Sequence, residues 1–203
     1  LYDYFLPLYL KTSNIVPTYG EITYCKEGYE YLKFLNDNYH HINIFAESNG
    51  ILFDDKWCQL ATDNLMNMHF SINAINEEYF KKTVWEKDGV YDVIQKNFNH
   101  YLDVLKEKGL SAFNPSVSCV LNSSNYETIV EFVRQYVSKG IQHINFYFDN
   151  IECETYNQNK SIKNSKVEEA IITLIELDRV LEGKVRLGYR LFVPTNDMSY
   201  YDT

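Results

Sequence analysis

The sequence lacks the features that mark membrane-spanning and nucleic-acid-binding proteins. No apolar run approaches the roughly 20 residues that a membrane-spanning helix needs. Basic residues are outnumbered, with 19 Lys and Arg against 28 Asp and Glu and a formal net charge of -9. Because such a surface repels a phosphate backbone, we expect neither a nucleic-acid partner nor a membrane partner.

Cysteine is scarce, and the cysteines lie far apart in the sequence. The four are Cys25, Cys58, Cys119 and Cys153. No CxxC pair occurs among them, which argues against a zinc knuckle and against a contiguous cluster-binding loop within this sequence. The spacing also differs from the disulfide framework of a small secreted fold. We therefore expect buried free thiols and a cytoplasmic protein.

The residues that are present favour one packed domain. The chain has 203 residues, of which 45% are hydrophobic, and this is enough for a sizeable core. It also has 18 Tyr and 12 Phe. Such a set can form a stacking platform for sugars or bases, but we interpret it mainly as core.

Short apolar segments alternate with amphipathic segments along the chain. The pattern predicts strands at 15–19, 42–46, 67–72, 116–121, 144–148 and 185–193, and helices at 27–38, 54–63, 90–108, 125–139 and 166–181. This alternation is typical of an α/β fold with a parallel sheet and right-handed crossovers. The strands are apolar, as expected where both faces of a sheet are covered. No glycine-rich phosphate loop opens a helix, which favours a partial (β/α) barrel over an open, doubly wound sheet.

The predicted domain organisation has three parts. Residues 1–149 form the partial barrel core. Residues 150–165 are polar without a clear period and are expected to form a loop. Residues 166–203 add a helix, a strand and a polar tail to the same domain.

Polar residues follow the predicted strands where each strand ends. Ligands of parallel α/β folds bind at this edge of the sheet, which makes these residues candidates for a site. Loops are polar for other reasons as well, so the pattern also fits ordinary connections. The candidates are Gly20, Glu21, Ser48, Ser71, Asn73 and Asn122.

Acidic residues at the same edge allow a different function. Glu21, Glu47 and Asp149 all lie at predicted strand ends. Paired carboxylates carry out general acid–base catalysis or bind hard divalent cations. A barrel hydrolase or lyase is therefore an alternative, as are solvated acids without a catalytic role.

Several segments resemble radical S-adenosylmethionine (SAM) enzymes in order and spacing. Gly20-Glu21-Ile22-Thr23 looks like the family's Gly-Gly-Glu-Pro motif, and INIFAESNGILFDDKWCQLA is similar to its third strand, turn and helix. MHFSINAINEEYFKKTVWEKDGVYDVIQKNFNHYLDVLKEKG resembles the family's Ser-Ile-Asp-Gly strand, short helix and long helix. PSVSCVLNSSNYETIVEFVRQYVSKGIQHINFYF resembles the fifth strand, its helix and the sixth strand. Together the resemblance covers residues 16–149.

The resemblance implies a TIM-barrel-like core, SAM as cofactor and a [4Fe–4S] cluster that cleaves it reductively. The radical formed then abstracts hydrogen from a small-molecule or peptide substrate, with flavodoxin or ferredoxin as reductant. The backbone of Tyr19, Gly20 and Glu21 would accept the methionine amino group. Ser71 and Asn73 would face the ribose hydroxyls or the carboxylate. Ser48 and Asn122 would belong to the same pocket.

The sequence departs from the family pattern at the cluster. The three clustered cysteines that normally precede the Gly-Gly-Glu-Pro element are absent, and Tyr19 and Ile22 replace its first Gly and its Pro. Because the chain starts with Leu1 rather than Met, we expect a piece of a longer protein whose cluster ligands lie upstream. The alternative is a degenerate, non-catalytic barrel that binds SAM or a partner.

Overall fold

The chain forms one parallel sheet of six strands with helices in the connections. A computed structural model describes residues 6–17, 20–148 and 164–190. The strands lie in sequence order, and every neighbouring pair is parallel. They are β1 (Asn14–Ile15), β2 (Asn43–Ser48), β3 (Asn67–Ser71), β4 (Ser116–Leu121), β5 (His143–Phe148) and β6 (Arg186–Arg190). Sequential order with parallel pairing is what repeated right-handed βα crossovers produce.

Seven α-helices occur in the described part of the chain. They are α1 (Leu6–Tyr9), α2 (Lys26–Asn38), α3 (Asp55–Asp63), α4 (Glu77–Thr83), α5 (Val90–Glu107), α6 (Ile129–Ser138) and α7 (Asn164–Leu181). Short 3-10 turns occupy Ile22–Tyr24, Ser111–Phe113 and Tyr126–Thr128. Asp54 caps α3 by accepting a hydrogen bond from the Trp57 amide, as its position in the sequence predicts.

Aromatic side chains between the sheet and the helices form much of the core. Phe70 of β3 contacts Phe98 of α5 edge to face, with ring centroids 5.2 Å apart. Phe98 in turn contacts Tyr136 of α6 at 5.7 Å. All three are fully buried, which confirms that these aromatics fill a core. Edge-to-face packing of this kind stabilises a core beyond the area it buries.

The opposite face of the sheet, here called the inner face, carries polar side chains. Exposed and buried residues alternate strictly along β2, so Glu47 points to the inner face while Ser48 is buried. The register places Glu47 beside His69 and His69 beside Ser116. The expectation of strands covered on both faces is therefore wrong for β2, whose inner-face residues are exposed. On β4 the inner-face residue Ser118 is 2% exposed.

The observed elements differ from the predicted ones at several ends. β1 stops at Ile15, and residues 18–19 lie outside the described part. β2 continues two residues beyond the predicted end, through Glu47 and Ser48. The predicted helix at 125–139 begins as a 3-10 turn and becomes α-helical at Ile129. Residues 191–193 of the last predicted strand, the predicted tail and almost all of the predicted loop at 150–165 lie outside the described residues. The domain division therefore stays a prediction.

The expected burial of the thiols is correct for two cysteines. Cys58 and Cys119 are buried and free, but Cys25 is exposed at the start of α2. Cys153 lies outside the described residues. No helix in the described ranges is both long and apolar enough to cross a membrane.

Candidate functional site

Glu21 holds the turn after β1 against the end of β2. Its Oε1 accepts hydrogen bonds from Thr23 Oγ1 at 2.6 Å, from the Thr23 amide at 3.2 Å and from Ser48 Oγ at 2.8 Å. Its Oε2 accepts from the Asn49 amide. Both carboxylate oxygens therefore stabilise the fold, which weakens the case for Glu21 as a general base in a hydrolase or lyase. Asp149, another acid of that alternative, lies outside the described residues.

Ser48 supports the same cluster from the end of β2. Its hydroxyl donates to Glu21 and accepts a hydrogen bond from the Gly50 amide at 3.0 Å. Gly50 adopts φ 80°, and a Cβ there would lie 3.2 Å from Ile94 Cγ2. Glycine is thus required for both backbone conformation and space. Since Ser48 is only 2% exposed, its hydroxyl makes its hydrogen bonds to other parts of the chain and is shielded from solvent.

Ser71 and Asn73 form a second cluster at the ends of β3 and β4. Asn73 Nδ2 donates to Ser71 Oγ at 3.0 Å, and Asn73 Oδ1 accepts from the Val120 amide at 2.8 Å. Asn73 has φ 63°, a left-handed conformation that asparagine tolerates better than most residues. The Ser71 hydroxyl accepts from Asn73 and keeps its own hydrogen for a further partner.

Asn122 and Asn125 fasten the turn that follows β4. Asn125 is 1% exposed, and its Nδ2 donates to Val120 O at 2.8 Å and to Asn73 O at 3.3 Å. Its Oδ1 accepts from the Asn122 amide at 2.8 Å. Asn122 Oδ1 accepts from the Ser124 amide. Asn125 is not among the residues predicted for the site, although an Asn-x-x-Asn spacing directly after a strand is a signal for such a turn.

The predicted site residues therefore fall into two clusters at the carboxyl edge of the sheet. Glu21 and Ser48 form one, Ser71, Asn73 and Asn122 belong to the other, and no side-chain hydrogen bond between described residues joins them. Gly20 is exposed with φ 112°, and no described residue donates to its carbonyl oxygen. Tyr19 lies outside the described residues. Ligand binding by any of these residues stays a prediction.

A polar group on the inner face was not anticipated from the sequence. His69 Nδ1 lies 2.6 Å from Ser116 Oγ, and His69 Nε2 lies 2.8 Å from Ser118 Oγ. Glu47 Oε1 is 3.8 Å from the same Nε2. Burial lowers the pKa of His69 and outweighs the opposing effect of Glu47. The period-two pattern of β3, which places His69 on the same face as Ser71, was the available signal.

A cavity of about 540 Å³ opens on this face, toward the amino ends of β3, β4 and β5. This volume is within the range of ligand-binding pockets. Its described lining includes Phe45 and Phe113 together with several polar residues. Its polar lining includes Glu47, Asn67, His69, Ser116 and Asn145.

The described residues provide no site for a metal ion or an iron–sulfur cluster. No three His, Cys, Asp or Glu side chains within the described ranges come together as metal ligands would. Cys25 caps α2, Cys58 is buried in α3 and Cys119 is buried in β4. Because a cluster of this type requires converging thiolates, these cysteines do not fit one.

Comparisons with known proteins give a match at the level of structure alone. No protein-family model and no curated protein matches the sequence. The structure of anSMEcpe with bound AdoMet and Cp18Cys peptide matches with a TM-score of 0.65 and 17% identity, over 86% of this chain and 50% of that one. SuiB from Streptococcus suis matches with a TM-score of 0.63 and 16% identity, over 87% of this chain and 38% of that one.

SuiB bound to S-adenosylmethionine gives a similar result, with a TM-score of 0.62 and 15% identity. The chain thus spans half or less of the length of these solved structures. At such low identity the likeness establishes the fold. The predicted α/β partial barrel is confirmed, and the chain has a radical SAM-like fold.

Proposed function

We propose that this chain binds S-adenosylmethionine at the carboxyl edge of its sheet, as the barrel portion of a radical SAM enzyme. The observation that carries the proposal is the fold match over 86% of the chain to a structure with bound AdoMet. Ligands of parallel α/β folds bind at this edge, where both clusters of polar residues lie.

The chemistry of the edge is compatible with this cofactor. The carbonyl oxygen of Gly20 is an acceptor without a described donor, as the binding of an ammonium group requires. The Ser71 hydroxyl offers a hydrogen for a hydroxyl or a carboxylate. In this proposal Glu21 acts indirectly, because its carboxylate positions the turn that presents Gly20.

Radical formation requires an iron–sulfur cluster, for which the described cysteines do not fit. The proposal therefore places the cluster's ligands outside this sequence, and no reaction step is assigned to the residues of the chain. The substrate is a small molecule or a peptide, the reductant is a flavodoxin or a ferredoxin, and the location is the cytoplasm. These remain parts of the proposal.

Calorimetric titration of the full-length protein with S-adenosylmethionine tests the proposal. We expect saturable binding at one site per chain. Ser71→Ala removes the free hydroxyl and is expected to weaken binding by roughly fivefold, as the loss of one hydrogen bond of about 1 kcal/mol does.

Ser138→Ala is the matched control, because Ser138 is exposed at the end of α6. It is expected to bind as the wild type does. Thermal melts of both variants separate loss of the site from loss of the fold. Absence of binding by the folded wild-type protein would contradict the proposal.

A further inference from the structure

Glu47 gives the inner-face cavity a negative charge. With histidines counted as neutral, it is the only charged side chain among the described lining residues, and no Lys or Arg is among them. Its carboxylate accepts no hydrogen bond from a described residue and is 63% exposed. Both oxygens are therefore available to a ligand. This distinguishes Glu47 from Glu21, whose carboxylate is engaged within the fold.

His69 does not cancel this charge. Its two ring nitrogens lie against the Ser116 and Ser118 hydroxyls. A neutral imidazole satisfies both contacts by donating from one nitrogen and accepting at the other, since a hydroxyl both donates and accepts. Burial, which lowers the pKa of His69, favours the same neutral form near pH 7.

The remaining walls also suit a cation. Asn67 and Asn145 offer amide oxygens as acceptors, and Phe45 and Phe113 offer aromatic rings. Ring faces attract cations, most strongly where water is partly excluded. Asn145 lines the cavity, and its Oδ1 lies over its partner Gly188 on β6, at the place where any Cβ of residue 188 would be. A carboxylate or phosphate ligand would meet the Glu47 charge, and no Lys or Arg is among the described lining residues. Arg186, which pairs with His143 on the same face of the sheet, lies outside that lining.

We propose that this cavity binds the substrate of the enzyme through an organic cation, an ammonium or guanidinium group that pairs with Glu47. The inference rests on the proposed function, because it takes the cofactor to lie at the neighbouring carboxyl edge. Ser71 follows His69 by two residues along β3, a distance of about 7 Å. Asn67 and Phe113 line the amino end of the cavity, whereas Glu47 and His69 form its end nearest to the carboxyl edge. A substrate whose cation pairs with Glu47 therefore approaches the proposed cofactor from below that edge.

Two ammonium probes test the inference, and each is paired with a neutral analogue. Butylammonium and butanol represent a free amine, whereas acetyl-Ala-Lys-Ala-amide and its norleucine analogue represent a peptide lysine. Binding to the full-length protein with saturating S-adenosylmethionine is followed through the side-chain amide NMR signals of Asn67 and Asn145. We expect at least one ammonium probe to bind more tightly than its neutral analogue. The stronger of the two identifies the source of the cation.

Glu47→Gln keeps the size of the side chain and removes its charge. It should weaken binding of the ammonium probe by roughly fivefold, as expected for a partly solvated ion pair, and leave the neutral analogue unchanged. Glu107→Gln is the control, because Glu107 is an exposed carboxylate in the last turn of α5. It should leave all four titrations unchanged.

The outcomes separate this inference from the proposed function. If S-adenosylmethionine binds but the ammonium probes show no preference, or Glu47→Gln has no effect, the inference is wrong and the proposed function stands. If S-adenosylmethionine does not bind to the folded protein, the proposed function is wrong. The cavity then has no assigned substrate, even where a cation binds at Glu47.

Discussion

His69, on the inner face of the sheet, makes the stability of the fold depend on pH. Its environment lowers its pKa below the ordinary value of 6.5, mainly through burial, while Glu47 at 3.8 Å opposes the shift. Well above pH 6.5 the imidazole is neutral in both folded and unfolded chains and contributes nothing to pH dependence. As the pH falls below 6.5, the unfolded state binds a proton that the folded state does not yet bind, so the free energy of unfolding decreases.

We therefore predict that His69→Gln removes part of the stability loss between pH 7.5 and pH 5.5. Urea unfolding of wild type and variant across this range gives the free energy of unfolding of each protein at each pH, and the difference between the two is plotted against pH. His143→Gln, the same substitution at an exposed position of β5, is the comparison variant. Parallel curves for wild type and His69→Gln would show that the shifted titration does not affect stability.

The positions of the residues at the carboxyl edge were predictable from the sequence, but their roles there were not. Glu21 follows β1, as predicted, yet its partners Ser48 and Asn49 are 27 and 28 residues away. No local pattern reports such a contact, because it arises only when the two strand ends meet. Glu47 and Ser48 both lie just beyond the strand predicted at 42–46, and nothing local to them predicts different roles for the two residues. The alternating burial of β2 shows instead that one faces the cavity and the other supports Glu21.

At the scale of elements, the pairing of β5 with β6 depends on the absence of a side chain. Gly188 lies opposite Asn145, and a Cβ at this position would overlap Asn145 Oδ1 and lie 3.3 Å from its Cγ. The backbone of Gly188 does not have the positive φ that favours glycine. A side chain at position 188 would therefore displace the Asn145 amide from its present place, and backbone conformation plays no part in this effect.

A double-mutant cycle measures this dependence. Gly188→Ala alone should lower the free energy of unfolding by about 1–3 kcal/mol, the usual effect of overpacking. In an Asn145→Ala background the same change should be close to neutral, which gives a coupling energy of at least ~0.5 kcal/mol. Urea unfolding of the four proteins provides the values. The effects of Gly188→Ala and the distant Glu107→Ala on the free energy of unfolding should add, which makes this pair the control. If the effects of Gly188→Ala and Asn145→Ala also add, the steric argument is wrong.

Helix and strand boundaries were predictable where a local rule fixes them. Asp54 caps α3 with its side chain, and Gly109 adopts the left-handed conformation that ends α5. The start of α6 was less predictable, since the buried side chain of Asn125 and the 3-10 turn after it compete with a helical start. The polar inner face was missed because alternation is weak evidence in strands of five or six residues.

Across the whole molecule, Phe98 links three elements into one core. It is fully buried in α5 and contacts Phe70 of β3 and Tyr136 of α6. A contact network that crosses the sheet and two helices makes it costly for any one of them to unfold alone. We therefore expect the chain to unfold as a single cooperative unit.

Phe98→Ala tests this expectation, because the cavity it creates should lower the free energy of unfolding by about 3–5 kcal/mol. With the second tryptophan, the exposed Trp85, replaced by Phe, fluorescence reports the packing of Trp57, which is buried in α3. Far-UV circular dichroism reports the helices and strands together. In a cooperative unit both signals shift to the same lower urea midpoint. Val93→Ala, at a site on α5 that is 42% exposed, should shift both by less than about 1 kcal/mol. Separate midpoints for the two signals in Phe98→Ala would show instead that α3 and its neighbours unfold independently of the aromatic core.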